Sequence, residues 1–78
     1  MHHVTVMSRE TCHSCHVAEA EIERICGEMG ATWSVEDVDA DPELRAEYGD
    51  RVPVFLVDGV EHGYWQVEED RLRAALSK

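Results

Sequence analysis

The sequence predicts an α/β fold in a single domain, residues 1–78, with the element order β-α-β-α-β-β-α. Three observations predict it. Short runs of β-branched and apolar residues alternate with segments of helical periodicity, one apolar run leads directly into a hairpin signal, and 78 residues are too few for a second core. The first β-α-β unit should be parallel with a right-handed crossover, and the hairpin should add two antiparallel strands. The expected result is a four-stranded mixed sheet flanked by three helices.

The first three elements follow from the spacing of apolar residues. Residues 4–7 are β-branched or apolar and predict a strand, and residues 8–11 predict a polar loop. The first helix has one apolar face, with charged residues such as Glu19 facing elsewhere. The positions on that face are Ala18, Ile22, Ile25 and Met29. Gly30 predicts the end of this helix. Alternation over residues 32–38, with Val38 as its last apolar position, predicts the second strand.

Capping and turn signals define the remaining elements. Residues 41–43 place an Asp before a Pro and an acid, which predicts the start of a short helix that ends by Gly49. Residues 54–57 are continuously apolar and predict a central strand covered on both faces. Residues 58–59 are Asp-Gly, a two-residue hairpin turn that leads into an edge strand at residues 60–63. The closing helix is marked by Val67, Leu72, Ala75 and Leu76.

The charge balance narrows the classes of partner. Seventeen acidic and 7 basic residues give a formal net charge of −10, which argues against nucleic acid or an anionic membrane as a partner. No apolar stretch is long enough to span a membrane, and no signal-peptide pattern is visible at the N-terminus. Three cysteines leave one unpaired in a purely structural disulfide framework. We therefore expect a cytoplasmic monomer.

The most informative segment is Cys12-His13-Ser14-Cys15, which lies between the first strand and the first helix. At a helix N-terminus, unpaired N–H groups and the helix dipole favour a thiolate. We therefore predict that Cys12 is an exposed nucleophile and that Cys15, buried one turn later, resolves the mixed disulfide. Near a β-α-β unit this pattern is typical of a thioredoxin-like redox motif.

Other interpretations of the same segment stay open. The cysteines and His16 could contribute to a zinc site, although no second ligand pair completes the four that zinc needs. Residues 12–16 also match a c-type haem attachment pattern, which normally accompanies export. His13 either stabilises the Cys12 thiolate as an imidazolium or is a solvated surface residue. We predict no metal site and no bound cofactor.

Several further residues have simpler interpretations. Cys26 lies at the edge of the apolar face of the first helix and is predicted to be a small buried residue. Trp33 and Trp65 are predicted to be packing residues rather than stacking platforms. The sequence Met1-His2-His3 could chelate copper or nickel through the amine and His3, although a chance occurrence is the simpler interpretation.

Two segments and one glycine resemble the glutaredoxin branch of the thioredoxin-like superfamily, which implies the thioredoxin-like fold. Residues 8–15 resemble its active-site stretch, in which Arg9 stands three positions before the first cysteine. Residues 51–55 resemble its cis-proline segment, which implies a cis Pro53 and a Val52 backbone exposed opposite Cys12 for pairing with an extended thiol substrate. Gly63 resembles the glycine of its C-terminal motif. The resemblance thus implies substrate binding by Arg9, Val52, Pro53 and Gly63.

The sequence departs from the family at three glutathione-binding positions. His13-Ser14 replaces Pro-Tyr, Arg51 replaces a Thr, and Gly63-Tyr64 replaces a pair of glycines. The resemblance implies an enzyme that reduces protein disulfides or glutathione mixed disulfides, with glutathione or a reductase as electron donor. The alternative is a non-catalytic module that docks a partner or holds a metal or iron–sulfur cluster through Cys12 and Cys15.

Overall fold

A computed structural model describes residues 2–78 and shows the predicted order of helices and strands. The strands are β1 (His3–Ser8), β2 (Thr32–Asp37), β3 (Val54–Val57) and β4 (Val60–Tyr64). The helices are α1 (His13–Met29), α2 (Pro42–Tyr48) and α3 (Glu69–Leu76). A 3₁₀ turn, Val38–Ala40, separates β2 from α2.

The four strands form one mixed sheet in the order β2-β1-β3-β4. β1 is parallel to β2 and antiparallel to β3, and β4 pairs antiparallel with β3. Ser8 is in register with Asp37, and Val54 is in register with both Met7 and Tyr64. The last residues of β1, β2 and β4 therefore lie at the same end of the sheet as the first residue of β3. We call this the Cys12 end.

Alternation along the strands builds a core on each face of the sheet. On one face, residues of β1 and β3 pack against α1 and α3. This cluster includes Val4, Val6, Ala18, Ile22, Ile25, Phe55, Leu72 and Leu76. On the other face, Met7, Val38, Val54 and Leu56 form a second cluster. Because β3 supplies buried residues to both clusters, the prediction of a strand covered on both faces is confirmed.

The predicted caps and turn are also present. α1 ends at Gly30, whose φ of 71° is the left-handed conformation that glycine adopts without strain. Asp41 caps α2 and accepts a hydrogen bond from the Glu43 N–H at 2.9 Å. The hairpin residues Asp58 and Gly59 both have positive φ, 53° and 84°, as a type I′ turn requires.

The end of β2 differs from the prediction, and α1 begins before its apolar pattern does. Val38 does not extend β2, because the Asp37 carboxylate accepts the Asp39 N–H at 2.9 Å and turns the chain into the 3₁₀ segment, where Val38 is fully buried. α1 begins at His13, before its first buried residue, because the apolar pattern marks only where the helix meets the core. Within residues 2–78, none of the helices has the length and apolar character needed to span a membrane.

Candidate active site

The N-terminus of α1 positions the two cysteines. Cys12 is the N-cap residue, with extended backbone angles (φ −95°, ψ 106°), and its Sγ accepts the Cys15 N–H at 3.1 Å. Cys12 is partly exposed and Cys15 is fully buried, which confirms the predicted contrast. They form a disulfide with a Cα–Cα distance of 5.2 Å, well within the range that a disulfide allows.

This arrangement favours the charged form of Cys12 when the disulfide is reduced. The N–H at the first turn points at Sγ, and the positive end of the helix dipole lies at the same place. Both interactions stabilise a thiolate more than a thiol. Cys15 has no comparable advantage, since charging a buried thiol costs it the hydration that an exposed thiolate keeps. The geometry therefore gives the two sulfurs different reactivity.

The Val52–Pro53 peptide bond is cis, as the resemblance implied. β3 starts directly after Pro53, so this proline lies at the Cys12 end of the sheet, just before the strand next to β1. Its carbonyl accepts the Trp65 N–H at 2.7 Å. Val52 is half-buried, and its peptide makes no backbone hydrogen bond within residues 2–78.

The other two residues assigned to substrate binding have structural partners. Arg9 donates to Asp39 Oδ1 from Nε at 3.2 Å and from Nη2 at 3.1 Å, so its charge is already paired. Gly63 lies inside β4 opposite Phe55, and a Cβ there would make only an ordinary contact with Arg71 Nη1 at 3.6 Å. Their roles in substrate binding stay predictions, as does the role of His13, which is exposed on the first turn of α1.

Arg51, which replaces the family's threonine, is held in place by several groups. Its Nη1 donates to Glu61 Oε2 at 2.7 Å, and its Nη2 donates to the Glu47 carbonyl at 3.0 Å. The guanidinium also lies 5.8 Å from the ring centroids of both Tyr48 and Tyr64. Arg51 therefore ties the end of α2 to β4 and fixes the loop that leads into β3.

The predicted packing role is wrong for Trp65, although Trp33 does pack against the core. Trp65 is 62% exposed and has a φ of 73°, in the left-handed region that bulky residues rarely adopt. That conformation, just after β4, turns the indole away from the core. Its ring meets Tyr64 edge-to-face, with centroids 5.0 Å apart. No local sequence signal indicates this conformation.

Glu19 is a second residue whose place the sequence pattern did not indicate. It follows Cys15 by one helical turn, on nearly the same side of α1, where side chains four residues apart are neighbours. The buried Ser8 hydroxyl donates to the Glu19 carboxylate at 2.8 Å. The Glu19 side chain thus lies between α1 and β1, and it is only partly exposed. Its spacing of four from Cys15 is the signal that could have revealed it.

The remaining thiol and the histidines show no further redox or metal grouping within residues 2–78. Cys26 is fully buried as predicted, and burial raises the pKa of its thiol. In this same range, no three His, Cys, Asp or Glu side chains are grouped to hold a metal ion. Both ring nitrogens of His2 and of His3 make hydrogen bonds inside the protein. The Met1 amine of the predicted copper or nickel site lies outside the described residues.

The chain is similar in sequence to a known domain family and to several proteins. The model of the Glutaredoxin-like domain (DUF836) matches residues 3–77. An uncharacterized protein of Mycobacterium tuberculosis is 40% identical over 80 residues, which covers 96% of this chain and 82% of that protein. An uncharacterized protein of Mycobacterium bovis matches to the same extent.

Solved structures share the fold of this chain. Protein Ne2328 from Nitrosomonas europaea has a TM-score of 0.82 at 25% identity, covering 95% of this chain and 89% of the other. A protein from X. campestris has a TM-score of 0.76 at 28% identity and covers 95% of both chains. A mutant thioredoxin from Halobacterium salinarum shares the fold, with a TM-score of 0.71 at 23% identity over 97% of this chain and 72% of the other. The chain therefore belongs to the glutaredoxin-like (DUF836) family and has the thioredoxin-like fold.

Proposed function

We propose that this protein is a thiol–disulfide oxidoreductase that reduces protein disulfides or glutathione mixed disulfides through Cys12 and Cys15. The observation that carries the proposal is the contrast between the two thiols. Cys12 is accessible at the helix N-terminus, and Cys15 is buried within bonding distance of it. A fold shared with thioredoxins supports this class of chemistry.

The reaction has two exchange steps. The Cys12 thiolate attacks one sulfur of the substrate disulfide, which breaks the substrate S–S bond and releases one substrate thiolate that takes a proton from water. The Cys15 thiolate then attacks Cys12 Sγ, which breaks the mixed disulfide and releases the second substrate thiolate, which also takes a proton from water. The substrate gains two electrons and two protons, and the protein is left with the Cys12–Cys15 disulfide. Two glutathione thiols or a reductase dithiol restore the reduced pair.

The second step needs a base for the buried Cys15 thiol. Glu19 is the candidate, because its carboxylate lies one turn along α1 and is held there by Ser8. It would take the Cys15 proton as the thiolate forms and later return it to solvent through its exposed side. Substrate alignment in the first step would come from Val52, whose peptide makes no backbone hydrogen bond within residues 2–78 and can bond to an extended chain.

A redox titration tests the proposal. The protein is equilibrated with mixtures of reduced and oxidised glutathione, its thiols are alkylated, and the Cys12–Cys15 pair is quantified by mass spectrometry. The reduced protein is then assayed on bis(2-hydroxyethyl) disulfide, a small neutral substrate. We expect a reversible two-electron transition and turnover of this substrate. A pair that no glutathione mixture reduces, together with no turnover, would contradict the proposal. The metal content of the same preparation tests the metal-holding alternative.

A further inference from the structure

An exposed apolar surface lies beside the redox pair. Trp65 is 62% exposed, Val17 48% and Tyr64 45%. A groove of about 300 Å³ runs between the start of α1 and the segment Gln66–Val67. A second groove, of about 650 Å³, continues past Trp65 along β4 and the start of α3, and Gln66 lines both. We call Val17, Tyr64, Trp65, Gln66 and Val67 together the Trp65 surface.

The Trp65 surface adjoins the site of chemistry on two sides. His13 and Ser14, the residues between the two cysteines, line the first groove. The backbone N–H of Trp65 donates to the Pro53 carbonyl at 2.7 Å, which joins the surface to the cis-proline segment. A polypeptide whose disulfide reaches Cys12 from this side therefore contacts these residues.

The indole is held outward rather than left loose. Its residue has a φ of 73°, a conformation that costs free energy for a bulky side chain and persists only where other contacts fix it. The contacts here are the bond to Pro53, the Gln66 N–H donated to the Tyr64 carbonyl at 3.0 Å, and the edge-to-face packing on Tyr64. Such strained positions cluster at functional sites. A fixed, exposed aromatic ring is also a typical anchor in protein recognition.

The charge around the Trp65 surface favours a cationic partner. Glu21 lines the first groove, and it has no ion-pair partner within residues 2–78. In the second groove, Glu61 pairs with Arg51, and Glu68 lies 3.8 Å from Arg71. Arg51 and Arg71 thus each have an acidic neighbour, and the whole chain has a formal net charge of −10. This field attracts cationic partners and repels anionic ones.

We propose that the Trp65 surface docks a segment of a disulfide-bearing protein that carries Lys or Arg beside an apolar residue near its cysteine. The apolar side chain packs on Trp65, and the cation lies over the indole or against Glu21. Glutathione mixed disulfides, in which glutathione brings two carboxylates, are correspondingly poorer substrates. The inference rests on the proposed function and names the substrate class of that same site.

The test uses two synthetic peptides, each closed by one disulfide and identical except that Lys residues in one are Glu in the other. The reduced full-length protein is assayed on both, on oxidised glutathione and on bis(2-hydroxyethyl) disulfide. At low salt we expect kcat/KM for the Lys peptide to exceed that for the Glu peptide and for oxidised glutathione by about tenfold. The ratio should fall toward one between about 0.01 M and about 1 M salt, as the Debye length shrinks from about 30 to about 3 Å.

Variants separate docking from chemistry. In Trp65→Ala, the rate on the Lys peptide relative to the rate on the small neutral disulfide should fall about tenfold. Val60→Ala is the matched control, since Val60 is an exposed apolar residue at the other end of β4. Glu21→Gln should lower the preference for the Lys peptide over the Glu peptide and is independent of any change in backbone at position 65.

The outcomes are distinguishable. Equal rates for the two peptides at low salt, a preference for oxidised glutathione, or equal effects of Trp65→Ala and Val60→Ala would each overturn the docking proposal while leaving the oxidoreductase proposal intact. If the reduced protein fails on every disulfide, including the small neutral one, the proposed function fails and the docking inference falls with it.

Discussion

The two ends of the sheet differ in whether particular exposed groups are bonded within the chain. At the end opposite Cys12, the His2 ring bridges the Asp58 carboxylate and the Lys78 carbonyl, and the His3 N–H donates to Asp58 at 2.9 Å. The hairpin turn, the start of β1 and the C-terminal residue are thus held together there. At the Cys12 end, the Val52 peptide lacks a backbone partner within residues 2–78 and the indole of Trp65 faces solvent.

This difference separates stability from function along the sheet. Hydrogen bonds at the far end are made within the chain, so changes there should alter the free energy of unfolding and its pH dependence. At the Cys12 end, the Val52 peptide and the exposed Trp65 indole are available to a partner, so changes at these two groups should alter reaction rates more than folding. Variants at either end test this contrast.

The largest effect is expected for Cys12→Ser. Disulfide reduction should be abolished, because this thiol alone combines access with the helix N-terminus. Cys15→Ser should instead accumulate a stable mixed disulfide on Cys12, visible by mass spectrometry. Cys26→Ala is the control and should keep turnover at a cost of about 1 kcal/mol in unfolding free energy, because it removes little buried volume. Activity retained in Cys12→Ser would refute the assignment.

Glu19→Gln should slow the resolution step by about a hundredfold near neutral pH, since a general base typically contributes that much or more. The attack by Cys12 should keep its rate. Single-turnover measurement of mixed-disulfide decay checks this, and the deficit should shrink at alkaline pH, where hydroxide takes the proton.

Glu23→Gln provides the control for that experiment, because Glu23 is exposed on the same helix. A purely structural role for Glu19 would lower the rate equally at every pH. A decay rate equal to that of the parent protein would remove Glu19 from the mechanism.

His13→Ala should have a smaller effect. If the imidazolium stabilises the Cys12 thiolate, its loss should lower the reduction potential by at most about 30 mV, equivalent to a tenfold change in equilibrium. Exposure of His13 screens the interaction and sets this upper limit. Equilibrium of the parent protein and of His13→Ala with the same glutathione mixtures checks it. Equal potentials in the two proteins would make His13 a bystander.

Predictions from local patterns succeeded where the physical cause is local. The run at residues 54–57 could be assigned to a covered strand because four consecutive apolar residues leave no side of the strand suited to water. Gly30 and the Asp58-Gly59 pair could be placed because few other residues adopt their backbone angles easily. The exposed Cys12 and buried Cys15 follow from their places at the start of the helix, one before its first turn and one inside it.

Predictions failed where the cause is a contact distant in sequence. Trp65 was predicted to be a packing residue, and its exposure follows from the bond to the Pro53 carbonyl and the chain turn after β4. Glu19 was placed with the solvent-facing acids because helical periodicity carries no information about Ser8 on the neighbouring strand. Arg9 was located by resemblance, yet its pairing with Asp39 across 30 residues is invisible in the motif.

Acid should weaken the ion pairs that join α1 to α3. Glu69 accepts from Arg24 and Arg73, and these bonds lower its pKa from the usual 4.5 to about 2. A lowered pKa stabilises the fold above pH 4.5, and that contribution is lost as pH falls toward about 2. The urea midpoint should therefore fall more between about pH 5 and about pH 3 in the parent protein than in Glu69→Gln. A parallel fall in both proteins would contradict the prediction.

The smallest effect is expected at the far end of the sheet, where the pH dependence has the opposite sign. The hydrogen bond to Asp58, and then the one to the Lys78 carbonyl, raise the pKa of His2 above 6.5. A raised pKa stabilises the fold fully below pH 6.5, and the contribution is lost as pH rises through the folded-state pKa.

Asp58→Asn keeps a side chain that tolerates the positive φ of 53° but removes the charge. Urea midpoints should therefore drop between about pH 6 and about pH 8 in the parent protein and change less in Asp58→Asn, with disulfide reduction equal in both. The pair is exposed, so the shift should be slight. A change in disulfide reduction without a change in midpoint would mean that the two ends of the sheet are coupled, against the separation drawn from their contacts.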